Sequence, residues 1–322
     1  MSNITAKSFV TLVKQSASQF MHNNSFRLAA ALAYNTIFSL PPLLVIILVS
    51  AGAIFGQEAL NGEIYEQSRA ALGDEAAKEV QTMIASTSQL KRTGVAAAIG
   101  VGMIIFAATT FFITLQDSLN HIWNIKVRPD AGIMQTIKAR VLSLGLILSV
   151  AVLLLVSFVI SAALNILTGY LKSILPDISV YLIKLLDFVV SVGVITLLFT
   201  LIYKFLPDAL IRWKDTLAGA FITALLFVVG KILIGVYLGY SDVGSAYGAA
   251  GSVIIILVWI YYSSLIVFYG AEFTQEYAKR FGVEIRPKRY AVSYTILELP
   301  TENPADKKAG RPKSEGSFRK HD

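Results

Sequence analysis

The sequence predicts an all-α integral membrane protein: six transmembrane helices, a short N-terminal amphipathic helix, and an external helical hairpin between helices 1 and 2. Three observations predict it. Apolar residues make up 55% of the 322 and charged residues only 15%, against roughly 25% charged in a typical soluble domain, and mean hydropathy is +0.63. Four runs, Leu28–Gln57, Thr93–Gln116, Val141–Leu171 and Val243–Ala271, hold no Asp, Glu, Lys or Arg. Each exceeds the ~20 residues that cross ~30 Å of hydrocarbon as helix. Lys and Arg, finally, segregate between alternate connections, as orientation in a membrane requires.

Residues 5–21 place Phe9, Leu12, Val13, Ala17, Phe20 and Met21 at helical spacing, with Lys7 and Lys14 elsewhere. That pattern predicts a helix lying on the inner membrane surface, within an N-terminal region 1–27. The membrane domain follows over 28–282, with spans at about 29–56, 94–117, 141–168, 181–204, 216–240 and 246–273. Two of these, 181–204 and 216–240, are interrupted by ionisable residues. The external loop 57–92 reads as two short helices, broken at Gly73-Asp74, where Asp74 can cap the second. The polar, basic segment 283–322 reads as a mostly disordered tail.

Fifteen Lys and Arg lie on one side of these spans: Lys7, Lys14, Arg27, Lys126, Arg128, Lys138, Arg140, Lys204, Arg212, Lys214, Lys279, Arg280, Arg286, Lys288 and Arg289. Five lie on the other: Arg69, Lys78, Lys91, Arg92 and Lys172. Both termini are therefore expected in the cytoplasm. The net charge of +7 then reflects topology and anionic-lipid contact, and no nucleic-acid partner is expected.

The absence of cysteine removes disulfides, thiolate metal sites and cysteine nucleophiles. None of G-x-x-x-x-G-K-[ST], G-x-S-x-G or H-E-x-x-H occurs. No enzyme, cofactor or metal is expected. Asp117 and His121 share a helix face as i,i+4, but intact metal sites normally need three or four ligands.

Ionisable groups inside apolar segments are the stronger signal, because charge is expensive there. Lys231 lies nine residues before Tyr240, ~13 Å from the outer end of helix 5. Asp187 lies six residues into helix 4, ~9 Å from the same side, and Lys184 is one turn above it. The depths are similar enough for Lys231 to reach Asp187, and the readings open are an ion pair that fixes packing, a binding site for an anionic group, and a charge that exchanges partners during transport. Pro41-Pro42 in helix 1 leaves the carbonyls of Ile37 and Phe38 without helical donors, beside Asn35, Thr36 and Ser39. Either Ser39 or Thr36 heals the kink, or the break walls a cavity. Gly94, Ala98 and Gly102, and again Gly235 and Gly239, form small-residue rows that predict close helix packing. The glycine-rich stretch Ser241–Ser252 carries Tyr247 at the expected outer mouth. Trp259, Tyr261, Tyr262 and Tyr269 read as packing residues, and Glu272 as a helix end reached by water.

These residues resemble the YihY/virulence factor BrkB family of bacterial inner-membrane proteins over roughly 20–282. The carriers are Arg27-Leu-Ala-Ala-Ala-Leu-Ala-Tyr34 running into Ser39-Leu-Pro-Pro42, Asp117-Ser-Leu-Asn-His-Ile-Trp123, Leu206-Pro-Asp208 and Trp213-Lys-Asp215. Gly230-Lys231 ahead of Tyr237, Tyr247-Gly-Ala-Ala-Gly-Ser-Val, Trp259-Ile-Tyr261 and Gly270-Ala-Glu272 complete them. The resemblance implies six helices, cytoplasmic termini and movement of solutes or envelope lipids. A ribonuclease label once attached to the family finds no catalytic residues here.

The expected function is transport or flipping of an anionic solute or envelope lipid through a polar cavity among helices 1, 4, 5 and 6. Lys231, Asp187, Lys184, Asn35, Pro41, Pro42 and Tyr247 are the candidate site. The alternative is a scaffold that keeps the envelope intact. Membrane lipids are the expected partners, and a homo-oligomer is left open.

Overall fold

The computed structural model describes residues 5–39, 95–132, parts of 134–153, 176–240 and 251–295. Helix α1 spans Ala6–His22, and residues 25–39 are helical (α2). Helix α3 spans Val95–Ile122, α4 Pro176–Phe205, α5 Trp213–Tyr240 and α6 Gly251–Phe281. Among the described residues, three helices are long and apolar enough to cross a membrane, over Phe188–Phe205, Trp213–Tyr237 and Val253–Phe281. These are the predicted spans 4, 5 and 6. The first span is described only to residue 39 and the third only in parts of 141–153, while the loop 57–92 lies outside the described residues.

Helix α5 packs against both α4 and α6. Its contact with α6 is built from the same short pattern on each helix. Thr223 Oγ1 donates to the carbonyl of Gly219, 2.8 Å away, and Thr274 Oγ1 donates to that of Gly270 at 2.7 Å. A Cβ added to Gly219 would strike Thr274, and one added to Gly270 would strike Thr223 and the Tyr203 hydroxyl. Each glycine therefore admits the other helix's threonine. The predicted row is elsewhere on α5: a Cβ at Gly235 would meet nothing within 4 Å, and the same holds at Gly102. Those two glycines face open space, so they set no crossing among the described residues.

The apolar core gathers where the ends of α3, α4 and α6 meet, around Leu119, Trp123, Tyr203, Leu206 and Phe268. Tyr203 is fully buried, and its hydroxyl donates to the Val267 carbonyl at 2.7 Å, which satisfies the polar tip. Helix α1 is capped by Thr5, whose hydroxyl accepts from the Ser8 amide at 3.3 Å. It lays Leu12, Ser16 and Phe20 against α6. Phe9 meets Phe273, and Phe20 meets Tyr269, with ring centroids 6.1 Å apart in both pairs. Of the stripe expected to lie on lipid, Leu12 and Phe20 are thus buried on the chain itself, while Phe9 and Ala17 stay exposed. The reason is the aromatic ridge that α6 offers at the inner end of the predicted span, Tyr269 and Phe273. Met21 and Val10 stay exposed.

At the same end, four short strands close the bundle. β1 (Ile125–Val127) pairs antiparallel with β4 (Ala291–Ser293), and β2 (Ala209–Leu210) with β3 (Arg286–Pro287). Asn124, at φ 55, makes the left-handed turn from α3 into β1. The segment read as the start of a disordered tail therefore returns to the bundle through residue 295. Strands of two and three residues carry too little alternation to be seen in sequence. Residues 296–322 lie outside the described residues.

Candidate functional site

Polar residues concentrate where α3, the α4–α5 connection and the returning strands meet. Asp208 is 2% exposed, and a buried carboxylate needs donors. Asn120 Nδ2 donates to Oδ2 at 2.8 Å, and the Tyr290 hydroxyl donates to Oδ1 at 2.8 Å. Gln116 Nε2 reaches both oxygens at 3.1 Å. The Asp208 amide returns a bond to Asn120 Oδ1 at 2.8 Å, and its carbonyl accepts from the Lys288 amide at 2.9 Å. One turn of α3 thus supplies Gln116 and Asn120 on one face. The Pro207 neighbourhood fixes the acid between them and Tyr290.

Beside this cluster, α3 and β1 line a cleft of about 640 Å³ with Asp117, Asn120, His121, Lys126 and Tyr294 on its walls. The i,i+4 spacing does bring Asp117 and His121 to one wall. His121 Nδ1 and the Tyr294 hydroxyl lie 3.0 Å apart and share a hydrogen bond. Burial, and then the Arg27 charge, holds His121 below the usual imidazole range. Burial raises the Tyr294 phenol. Lys288 is lowered by burial, with Asp208 opposing that shift and Lys204 adding to it. Among the described residues no three His, Asp or Glu side chains converge as metal ligands. The cleft offers carboxylate, imidazole, ammonium and phenol, which suits reversible binding of a polar headgroup or solute.

Glu272 is another buried acid. The sequence predicts a helix end reached by water there, and the structure corrects this: α6 continues to Phe281, and Glu272 is 0% exposed. The turn between α1 and α2 covers it, with Asn23 Nδ2 donating to Oε1 at 2.7 Å. Trp123 Nε1 donates to the neighbouring Ala271 carbonyl at 3.1 Å.

The predicted site residues are distributed as follows. Lys231 is exposed on α5, on a stretch with Val229, Ile232, Leu233 and Val236 also exposed. Asn35 Nδ2 donates to Thr114 Oγ1 at 3.1 Å, tying α2 to α3. Thr36 donates to the Leu32 carbonyl at 2.6 Å, and Ser39 to those of Asn35 at 2.8 Å and Thr36 at 3.3 Å. Both hydroxyls are spent upstream, so neither heals the carbonyls of Ile37 and Phe38. Pro41, Pro42 and Tyr247 lie outside the described residues, as do the side chains of Lys184 and Asp187.

The fold and these polar ends define a polytopic helical membrane protein. The profile of the family described as Virulence factor BrkB matches residues 16–295, and the chain belongs to that family. The match includes β3 and β4, which the sequence resemblance had left outside. A UPF0761 membrane protein of Verminephrobacter eiseniae is 31% identical over 251 residues, 76% of this chain and 57% of its own. One of Tolumonas auensis is 29% identical over 250 residues, covering 77% and 78%. A third, of Rhodospirillum centenum, is 27% identical over 268 residues, covering 82% and 57%. The chain therefore spans little more than half the length of two of these relatives. No solved structure matches it.

Proposed function

We propose that the chain is an inner-membrane transport protein that moves a phosphate-bearing anion, a lipid headgroup or a small solute, with both termini in the cytoplasm. One observation carries this reading: Lys231 is exposed on an apolar face of α5. Trp213 lies eighteen residues before it and Tyr240 nine after, so at 1.5 Å per residue it sits ~27 Å and ~13 Å from the two helix ends. An ammonium at that depth is expensive without an anionic partner or a path to water. An anionic headgroup travelling along the helix supplies one. The polar cleft at the other end, expected to face the cytoplasm from the Lys and Arg asymmetry, is a docking place for the same cargo. No reaction is assigned to the chain.

Purified full-length protein in vesicles carrying a fluorescent phosphatidylglycerol tests the proposal, with an external quencher reading the outer leaflet. The parent should speed exchange between leaflets, Lys231→Met should lose most of that rate, and Lys231→Arg should keep it. Efflux of trapped inorganic phosphate distinguishes the soluble cargo. If Lys231→Met moves both probes as the parent does, or protein-free vesicles match the parent, the carrier reading fails and the envelope scaffold replaces it.

A further inference from the structure

Among the described residues three acids are buried, Asp208, Asp215 and Glu272. Asp215 lies beside Arg212 and accepts from the Val283 amide at 3.4 Å. Asp208 accepts from three side chains, whereas Glu272 accepts from one, Asn23. Its Oε2 atom is buried without a hydrogen-bond partner, and so is the hydroxyl of Ser25, two residues along the same turn. Ser25 is itself 0% exposed. A carboxylate so placed is a buried charge with half its acceptors unmet, which is strongly unfavourable.

The groups around Glu272 do not neutralise it. On its own helix the charges that reach it are Lys279 and Glu276, and these pair with each other at 2.8 Å. The α1–α2 turn brings Asn23 and Ser25, both uncharged. The end of α3 brings Trp123, whose N–H is spent on Ala271. From α5 come Gly219 and Thr223, packed on Thr274 and Gly270. A neutral acid is the form that fits these surroundings.

We propose that Glu272, with Asn23 and Ser25, is the proton-coupling site of the transport cycle, an inference that rests on the transport reading above. In the resting state one proton from water is bonded to Oε2. When α1 and its turn part from α6, the O–H bond breaks, the proton passes to water and the carboxylate remains. Helix α1 is thus the cover of the site, because its turn supplies the only described side-chain donor to the acid.

Infrared spectra of the full chain in lipid discs test the resting state. The carbonyl band of a neutral carboxylic acid should be present in the parent at neutral pH, lost in Glu272→Gln and kept in Glu276→Gln. Should Glu272→Gln fold poorly, Asn23→Ala serves instead, because removing the donor should move that band to higher frequency. A band that neither substitution touches overturns the proposal. In vesicles, an imposed pH gradient should change the rate of phosphatidylglycerol exchange in the parent and leave Glu272→Gln unresponsive. A parental gradient response in Glu272→Gln overturns the proton site alone. A sodium dependence lost in that variant also overturns it, in favour of a metal cation. Vesicles in which no variant moves lipid or phosphate overturn the transport reading instead.

Discussion

Replacing Asp208 tests whether the polar cluster holds the closed end of the bundle together. Asp208→Ala removes the acceptor for Gln116 Nε2, Asn120 Nδ2 and the Tyr290 hydroxyl at once. A buried donor left unsatisfied costs about 1–3 kcal/mol. The three share one acceptor group, so their costs do not simply add, and we expect a loss of about 3–5 kcal/mol, the range for breaking a buried charged contact. Lys288 adds to it, because burial already disfavours its ammonium and Asp208 is the charge that offsets this. Asp208→Asn keeps the shape but not the chemistry. Both oxygens face donors, so in either amide orientation an NH₂ opposes a donor, and about 2 kcal/mol should be lost. Unfolding of the purified chain in mild detergent measures the loss, and limited proteolysis within 283–295 shows whether β3 and β4 have come free. Against a total near 5–15 kcal/mol, the alanine variant should be plainly weakened. If Asp208→Ala stays within about 0.5 kcal/mol of the parent, with 283–295 still protected, the cluster does not hold that end and the reasoning fails.

Three further outcomes are expected. His121 is held below its ordinary pKa of ~6.5, so the folded state disfavours the imidazolium. Its contribution is complete above ~pH 6.5 and is lost as pH falls through the lowered folded value. The thermal midpoint should drop as pH falls below about 6.5, and His121→Phe should flatten that drop; an unchanged slope assigns it to another group. Gly219→Ala and Gly270→Ala should each cost about 1–3 kcal/mol through overpacking, while Gly235→Ala, whose new methyl meets nothing, should be neutral or gain up to about 0.5–1 kcal/mol in helix propensity. Equal effects at the three sites in thermal unfolding would refute the reciprocal crossing. In this cysteine-free chain, Glu75→Cys should react with an impermeant maleimide on intact cells and Gly310→Cys should not. The reverse pattern would invert the orientation.

The spans were legible because hydrocarbon demands a length of uncharged chain, and that is a local property. α4, α5 and α6 match the last three predicted segments to within a turn or two at their ends. The crossing of α5 and α6 was not legible. Gly235-x-x-x-Gly239 has the more familiar spacing, but the faces that meet are Gly219-x-x-x-Thr223 and Gly270-x-x-x-Thr274, each helix supplying the small residue and the hydroxyl. The repetition of Gly-x-x-x-Thr on two consecutive spans was the available signal. Asp208 was visible only as part of a family motif, since its side-chain partners lie 82 to 92 residues away. The sequence places Glu272 at a helix end reached by water, but α6 runs on to Phe281 and the acid is buried. Nothing in the local sequence says that the α1–α2 turn folds back over the acid.

Three ionisable side chains near or within the apolar bundle meet the same physical penalty in three ways, and in the transport reading the differences constrain how the chain moves. Asp208 has donors on both oxygens and ties α3 to the returning strands, so motion that separates those elements breaks several charge-assisted bonds at once. The reciprocal glycine–threonine contacts leave α5 and α6 little freedom to slide, because each threonine fills the space that the facing glycine leaves. Those two helices and the Asp208 cluster therefore behave as the fixed part. Lys231 projects from that fixed part near its far end, and in the transport reading it meets cargo without rearranging it. Glu272 faces α1, which is joined to α6 by apolar contacts, the bond from Asn23 and a 3.3 Å bond from Tyr269 to the Val13 carbonyl. Separation of α1 from α6 breaks few polar contacts and exposes the acid. In the transport reading, the moving element is thus α1 with its turn, and the proton is released at the place where it moves.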